Sequence, residues 1–260
     1  MHQIKVLQSV ISTLLEGGRG VSGTPTPQQP EKAIQLYDME GCPFCRRVRE
    51  VLTLLNLDFE VYPCPKNGTR FRPVAEEIIK SIGGTVQFPL LVDQNTGVKL
   101  QESQEIIDYL FKEYGKTGKT PSKWQSLSKQ PIVGTLVSGV RLMRGLKADT
   151  TNANKAAPTT MLELWSFEAS PFTRLVRERL CELEIPFVVH NVAKERWQDM
   201  GPAVLRMKPG PYVPVAGGKR EKELPKMQGR LQVPYLVDEN TGVQMFESKD
   251  IIQYLNRTYG

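Results

Sequence analysis

Hydrophobic and polar positions run through one order of periods twice along this chain. Residues 34–37 form a short apolar run of strand length, and residues 43–55 follow with helical spacing, placing Val48, Leu52 and Leu55 on one face. Residues 59–62 read as a second strand and 74–82 as a second helix. Residues 90–92 and 98–100 flank Asp93-Gln-Asn-Thr-Gly97, a hairpin signal in which glycine supplies positive φ. A last helix starts at Ser103, with Ile106, Ile107 and Leu110 on its apolar face. The order recurs over residues 162–259, where Pro225 is expected to cut the middle helix short.

Alignment of the chain with itself makes the repeat explicit. Residues 34–63 match 162–191 at 12 of 30 positions, an offset of 128. Residues 83–115 match 228–260 at 18 of 33 positions, an offset of 145. The second copy therefore holds 145 − 128 = 17 extra residues between about Asn191 and Gly218, rich in Pro and Gly and read as loop. An amphipathic pattern precedes each copy, at 4–15 and 132–146, followed by polar stretches at 17–30 and 147–160 that read as flexible linkers. The expected division is a helix and linker at 1–30, a first domain at 31–118, a second helix and linker at 119–158, and a second domain at 159–260. The echo of the leading helix favours a structural role for residues 1–30 over the remnant of a transit peptide.

Composition narrows the picture. The 260 residues fit about two domains at ~150 residues each, and 40% hydrophobic with 24% charged residues is ordinary for a globular protein. No stretch approaches the ~18 uninterrupted apolar residues of a membrane helix; the nearest, 131–146, is broken by Arg141 and Arg144. A net charge of +6 attracts small anions, but no basic run with interleaved aromatics points to nucleic acid. Two histidines, His2 and His190, leave no His-based triad or multi-His metal site. Four cysteines do not make a disulfide scaffold.

Two of those cysteines form Cys42-Pro-Phe-Cys45, where a strand ends and a helix begins. Free amides and the helix dipole stabilise a thiolate there, and in such motifs a thiol pKa falls from ~8.5 to as low as ~3.5. Pro43 fits the first helical position, which needs no amide donor, and Arg46 and Arg47 add positive charge. Cys42 is then the exposed attacking thiol and Cys45 the resolving one. A zinc site would need about four ligands, and Cys64, Cys181 and the histidines offer no second CxxC. Cys64, between two prolines, and Cys181, in the next copy's helix, read as structural.

Cys-Pro-Phe-Cys opening a helix, X-Pro before a strand and Glu-Ser opening the last helix together resemble the glutaredoxins and the N-terminal domain of glutathione transferases. Cys-Pro-Phe-Cys-Arg-Arg-Val-Arg is also similar to prostaglandin E synthase type 2, and the tandem arrangement resembles plant chloroplast and cyanobacterial sequences. The resemblance covers about 85 residues of each copy and implies two tandem thioredoxin-like α/β domains, each a four-stranded mixed sheet with flanking helices and a helix in front. It implies a cis Phe88–Pro89 bond that turns the Phe88 backbone toward the cysteine to pair with glutathione. It further implies that Ser103 holds the γ-glutamyl carboxylate and Glu102 meets its ammonium. Lys66, Arg70 and Arg72 are either glycyl-carboxylate ligands or solvated loop charge.

In the second copy Ser170 and Thr173 replace the two cysteines, while Val233–Pro234 and Glu247-Ser248 persist. Ser170-Pro-Phe resembles plant tau-type transferases, in which a serine hydroxyl favours the glutathione thiolate; a domain kept only for packing is the alternative. About 45 residues separate the copies, too few for the helical domain of a complete transferase. The expectation is a glutathione-dependent thiol–disulfide oxidoreductase acting on disulfide or glutathionylated substrates in a reducing compartment, the chloroplast stroma before the cytoplasm. The rivals are a glutathione transferase or isomerase acting through Ser170 or Cys42, and a non-enzymatic module holding an iron–sulfur cluster or haem with glutathione.

Overall fold

The computed structural model describes residues 2–15, 19–125, 144–152, 157–200 and 212–260. The first copy runs α1 (His2–Leu15), β1 (Ile34–Asp38), α2 (Pro43–Leu54), β2 (Phe59–Pro63), α3 (Arg72–Ser81), β3 (Leu90–Asp93), β4 (Val98–Leu100) and α4 (Ser103–Tyr114). The second runs β5 (Leu162–Ser166), α5 (Pro171–Glu182), β6 (Phe187–Asn191), α6 (Lys219–Glu223), β7 (Tyr235–Asp238), β8 (Val243–Phe246) and α7 (Ser248–Thr258). Most of the helix expected at 132–146 lies outside the described residues, as do 201–211 of the insertion; residues 144–146 form a turn. As expected, the middle helix of the second copy is short: α6 ends at Glu223, and although Leu224 keeps helical dihedrals (φ −53°, ψ −45°), Pro225 has no amide with which to extend the ladder.

Local chemistry repeats with the fold. α2 ends in a residue with left-handed backbone, Asn56 at φ 56°, and α5 ends the same way in Glu184 at φ 52°. Both ends close as Schellman motifs: the Leu57 amide donates to the Leu52 carbonyl at 3.0 Å and that of Asn56 to Thr53 at 2.9 Å, while Ile185 donates to Leu180 at 3.0 Å and Glu184 to Cys181 at 3.1 Å. Asp93, at the β3–β4 turn, accepts from the Tyr109 hydroxyl at 2.7 Å and from Tyr114. Asp238 repeats this with Tyr254 and Tyr259, both at 2.6 Å. These bonds tie the last helix of each copy to its hairpin and fix where that helix begins.

The eight strands form one sheet in the order β4-β3-β1-β2-β6-β5-β7-β8. Within each copy the first two strands are parallel and the rest antiparallel. The copies join edge to edge through antiparallel β2 and β6, with Phe59 opposite Val189, Glu60 opposite Val188 and Val61 opposite Phe187. At the repeat offset of 128, Phe59 corresponds to Phe187 and Val61 to Val189, so a pseudo-two-fold axis passes through the Glu60–Val188 pair. Each exposed edge thereby satisfies the other, which removes two unpaired strands from solvent. One apolar core spans both copies, including Leu36, Val51, Leu52, Leu164, Val176 and Leu180, each such burial stabilising by roughly 1.5–3 kcal/mol.

Both linkers, expected to be flexible, are docked where they are described, and each crosses to the other copy. Gly23 donates to the Lys194 carbonyl at 3.0 Å, and the Ala169 amide donates to Gly20 at 3.0 Å. In mirror fashion Lys66 donates to Leu146 at 2.8 Å, Ala148 to Lys66 at 2.9 Å, and Gly41 to Gly145 at 3.2 Å. Neither polarity nor proline content reveals such docking, because it is made by backbone amides.

Candidate active site at the start of the second helix

Cys42 is the N-cap of α2, with extended backbone at φ −79° and ψ 126°. Its sulfur accepts from the Cys45 amide at 3.5 Å and its thiol reaches the Phe88 carbonyl at 3.9 Å. The Phe88–Pro89 bond is cis, which brings that carbonyl to the sulfur. The Cys42 thiol lies below its ordinary range: a hydrogen bond from the Cys45 side chain has the largest effect, burial opposes it, and the Cys45 and Phe44 amides and the Arg49 charge assist. Cys45 is pushed well above the usual thiol range, first by burial and then by its bond to Cys42. One sulfur is thus poised to ionise while its partner keeps its proton. The expectation of an exposed Cys42 is corrected, for the residue is only 7% exposed, packed in a cluster with Cys45 and Phe88, and Phe88 in turn lines a groove.

That groove, of about 120 Å³, is lined by Phe44, Gln87, Phe88, Pro89, Gln101, Glu102 and Ser103. The structure therefore gathers Phe88, Pro89, Glu102 and Ser103 in one groove, which Phe88 joins to Cys42. Ser103 opens α4, whose free amides face an anion well. Sequence reasoning missed Gln87 and Gln101. Gln87 donates to the Glu102 carboxylate, and Gln101 donates to the Gln87 carbonyl at 3.0 Å. Their only signal was adjacency to the Phe-Pro and Glu-Ser pairs. Of the three loop cations, Arg72 stands at the groove's edge, its guanidinium 5.1 Å from the Phe88 ring centre. The Lys66 backbone pairs with the second linker, and the Arg70 amide donates to Glu184 at 3.0 Å. Cys64 is wholly buried and burial pushes its thiol up, which fits a structural role.

The second copy keeps the cap and changes the atom. Ser170 caps α5 at φ −63° and ψ 114°, its hydroxyl accepting from the Thr173 amide at 3.3 Å and sharing a 2.8 Å bond with the Thr173 hydroxyl. Ser170 is buried, and Val233–Pro234 is again cis. Phe246 stands where the first copy has Gln101, its ring centre 4.4 Å from that of Tyr235. Glu247 adopts φ 69° and ψ 111°, whereas its counterpart Glu102 has an ordinary φ of −72°. Cys181 is buried, its thiol donating to Gly145 at 3.3 Å and its sulfur accepting from the Glu40 amide at 3.5 Å. It joins the two copies as well as filling core.

Residues 36–120 and 164–260 each match the family described as "Glutathione S-transferase, N-terminal domain". No curated protein matches the chain. Among solved structures, a Leishmania protein described as "TDR1 - a unique trimeric glutathione transferase" is similar at 12% identity over 88% of this chain and 67% of that one, with a TM-score of 0.27. At that TM-score the likeness informs neither site nor assembly. Among the described residues, no helix is long and apolar enough to cross a membrane, and no three or more His, Cys, Asp or Glu side chains gather to hold a metal ion.

Proposed function

The chain belongs to the glutathione S-transferase N-terminal domain family, and from that premise we propose that it is a glutathione-linked thiol–disulfide oxidoreductase working through Cys42. The observation that carries this reading is one sulfur held between the Cys45 amide and the carbonyl of Phe88, a residue that also lines a groove reaching the α4 N-terminus. Cys42 thiolate attacks the glutathione sulfur of a mixed disulfide, forming Cys42–S–S–glutathione and expelling the target's thiolate, which takes up a proton. A second glutathione thiolate then attacks that sulfur, releasing oxidised glutathione and regenerating Cys42. The free glutathione is the reductant: its sulfur enters the disulfide of oxidised glutathione as the target's sulfur leaves as a thiol. Cys45, buried and held protonated, serves first as the hydrogen-bond donor that keeps Cys42 ionised. The Phe88 backbone, Glu102 and Ser103 seat the glutathione peptide, and Arg72 offers a cation to its carboxylate.

The test is reduction of a glutathione mixed disulfide by the full chain with free glutathione as reductant. Activity should vanish in Cys42→Ser and persist in Cys45→Ser; a full rate in Cys42→Ser overturns the reading. A reducing compartment suits a chain whose four cysteines are free, and the chloroplast stroma is our first placement. A second reading, conjugation of glutathione by the second copy, draws on Glu247. Its strained backbone costs roughly 1–3 kcal/mol, and such strain collects at ligand clamps. Against it, the Ser170 hydroxyl is buried and already bonded to Thr173. Conjugation that survives Cys42→Ser but fails in Ser170→Ala would favour it. For an iron–sulfur cluster or haem the chain would offer Cys42 with bound glutathione, a reading that visible absorbance in freshly purified protein with no disulfide reduction would favour.

A further inference from the structure

A buried ion-pair cluster sits between α2 and α5, beside the pseudo-two-fold axis. Arg49 of α2 contacts Asp38, Glu40 at 3.4 Å and, in the other copy, Glu168 at 3.0 Å. Arg177 of α5 is its repeat counterpart (49 + 128 = 177) and contacts Glu168 at 2.8 Å and, in the first copy, Glu40 at 3.1 Å. These side chains are at most 4% exposed. Charges buried this deeply persist only when paired, and a planar guanidinium fork can satisfy two carboxylates at once.

Glu40 lies two residues before Cys42, and the second copy holds it by backbone as well as by charge. Its amide donates to the Cys181 sulfur at 3.5 Å, and the next amide, of Gly41, donates to Gly145 at 3.2 Å. Gly145 has φ 69°, and a Cβ there would come 2.9 Å from Glu40 Cβ, so this approach requires glycine. The loop that presents the thiol is therefore moulded by the second linker and by the copy that lacks the CxxC pair.

We propose that Arg177 and Glu168 are positioning residues for Cys42, through which the copy without the CxxC pair fixes the redox loop of the other and sets the charge around its sulfur. The proposal extends the reading of Cys42 as the reacting thiol and rests on it. The route runs through Arg49, the one side-chain charge among the main influences on the Cys42 thiol. Glu168 neutralises Arg49 from across the axis, and Arg177 in turn shares Glu168 and Glu40. Neutralising Glu168 leaves Arg49 freer to favour the thiolate. Removing Arg177 leaves Glu40 and Glu168 short of positive charge and disfavours it. The other charged groups facing the cluster, Arg46 and Glu50 on α2 and Arg174 and Glu178 on α5, are the same in both variants.

The two substitutions must therefore move Cys42 in opposite directions, which loss of packing alone would not do. The experiment follows alkylation of Cys42 by iodoacetamide in the full chain across pH, read by peptide mass spectrometry. Glu168→Gln should lower the midpoint and raise the rate below it severalfold; Arg177→Met should raise the midpoint and slow the neutral-pH rate by about tenfold, one unit of thiol pKa. Arg177→Lys, keeping the charge without the fork, should fall between Arg177→Met and wild type. Unmoved midpoints, or shifts of the same sign, overturn the proposal. If Arg177→Met lacks a cooperative melt, the sign of the Glu168→Gln shift decides alone. Wild-type reduction of glutathione mixed disulfides, measured beside it, separates this outcome from failure of the functional reading.

Discussion

At the start of α2 the helix cap is a sulfur, and at the start of α5 it is a hydroxyl, on nearly the same backbone. Each cap accepts the amide three residues on, follows a glutamate paired across the axis, and lies near a cis X–Pro bond. What differs is where the cap's own proton can go. The Cys42 thiol has a neighbour thiol that stabilises its anion, whereas the Ser170 hydroxyl is locked to Thr173. A helix N-terminus alone does not make a nucleophile; it lowers the cost of an anion that the residue type must be able to form.

The sharpest way to break this comparison is to exchange the atoms. Cys42→Ser should abolish disulfide reduction, making the first copy chemically like the second. The converse double change, Ser170→Cys with Thr173→Cys, should create a second low-pKa thiol at the α5 cap, detected as a second site alkylated below pH 8. If Ser170→Cys instead alkylates only at the ordinary thiol pKa of ~8.5, then the cap geometry of the second copy is not equivalent and the contrast lies in more than the atom.

Next in size is the ion-pair cluster. Arg49→Met removes the arginine bound to Asp38 and takes one of the arginines from Glu40 and Glu168, and should cost about 3–5 kcal/mol in denaturant unfolding. Arg177→Met should cost less, because Ser166 occupies the place of Asp38 and both Glu40 and Glu168 keep Arg49. Equal costs would mean that Asp38 adds nothing to the asymmetry. This cluster also marks the limit of what the sequence made legible. The duplication and the element order follow from period and offset, and the grouping of Phe88, Pro89, Glu102 and Ser103 from the family resemblance that their motifs carry. Arg46 read as first-turn charge near the thiol, yet it is buried against Glu50 and Glu168. Glu168 lies in the other copy, and no pattern within one helix states that Arg46 and Arg49 will meet the counterpart of Glu40 across an axis, or Glu40 that of Arg49. The edge pairing of β2 with β6 was hidden for the same reason.

A smaller contrast concerns the aromatic pair behind each site. Tyr37 stacks on Tyr62 in the first copy, with ring centres 4.8 Å apart, and Trp165 on His190 in the second, 4.4 Å apart. Burial alone would lower the His190 pKa, but Asp58 from the first copy and Glu163 beside it push it up to about 9. The folded value exceeds the unfolded ~6.5, so the imidazolium's contribution is complete below pH 6.5 and is lost as pH rises through about 9. Between pH 6 and 10 wild-type stability should fall on the order of 2 kcal/mol more than that of His190→Gln, measured by urea midpoints. Parallel pH profiles would show that the pair holds no charge.

The smallest effect tests the last asymmetry, at the entrance of the final helix. Glu247 and Glu102 occupy the same step before a buried serine, and both accept from a glutamine fifteen residues earlier, Gln232 and Gln87. Only Glu247 has the left-handed backbone that a side chain resists. Glycine there escapes the strain, so Glu247→Gly should stabilise the fold by about 1 kcal/mol. Glu102→Gly should destabilise it by roughly 0.5–1 kcal/mol, because at φ −72° glycine only adds unfolded-state freedom. Thermal melts of the two variants side by side read the sign directly. Opposite signs mean that the second copy stores strain at a groove the first copy keeps relaxed; a loss in both would mean that the Glu247 side chain offsets its own backbone cost, and the two entrances are then energetically alike.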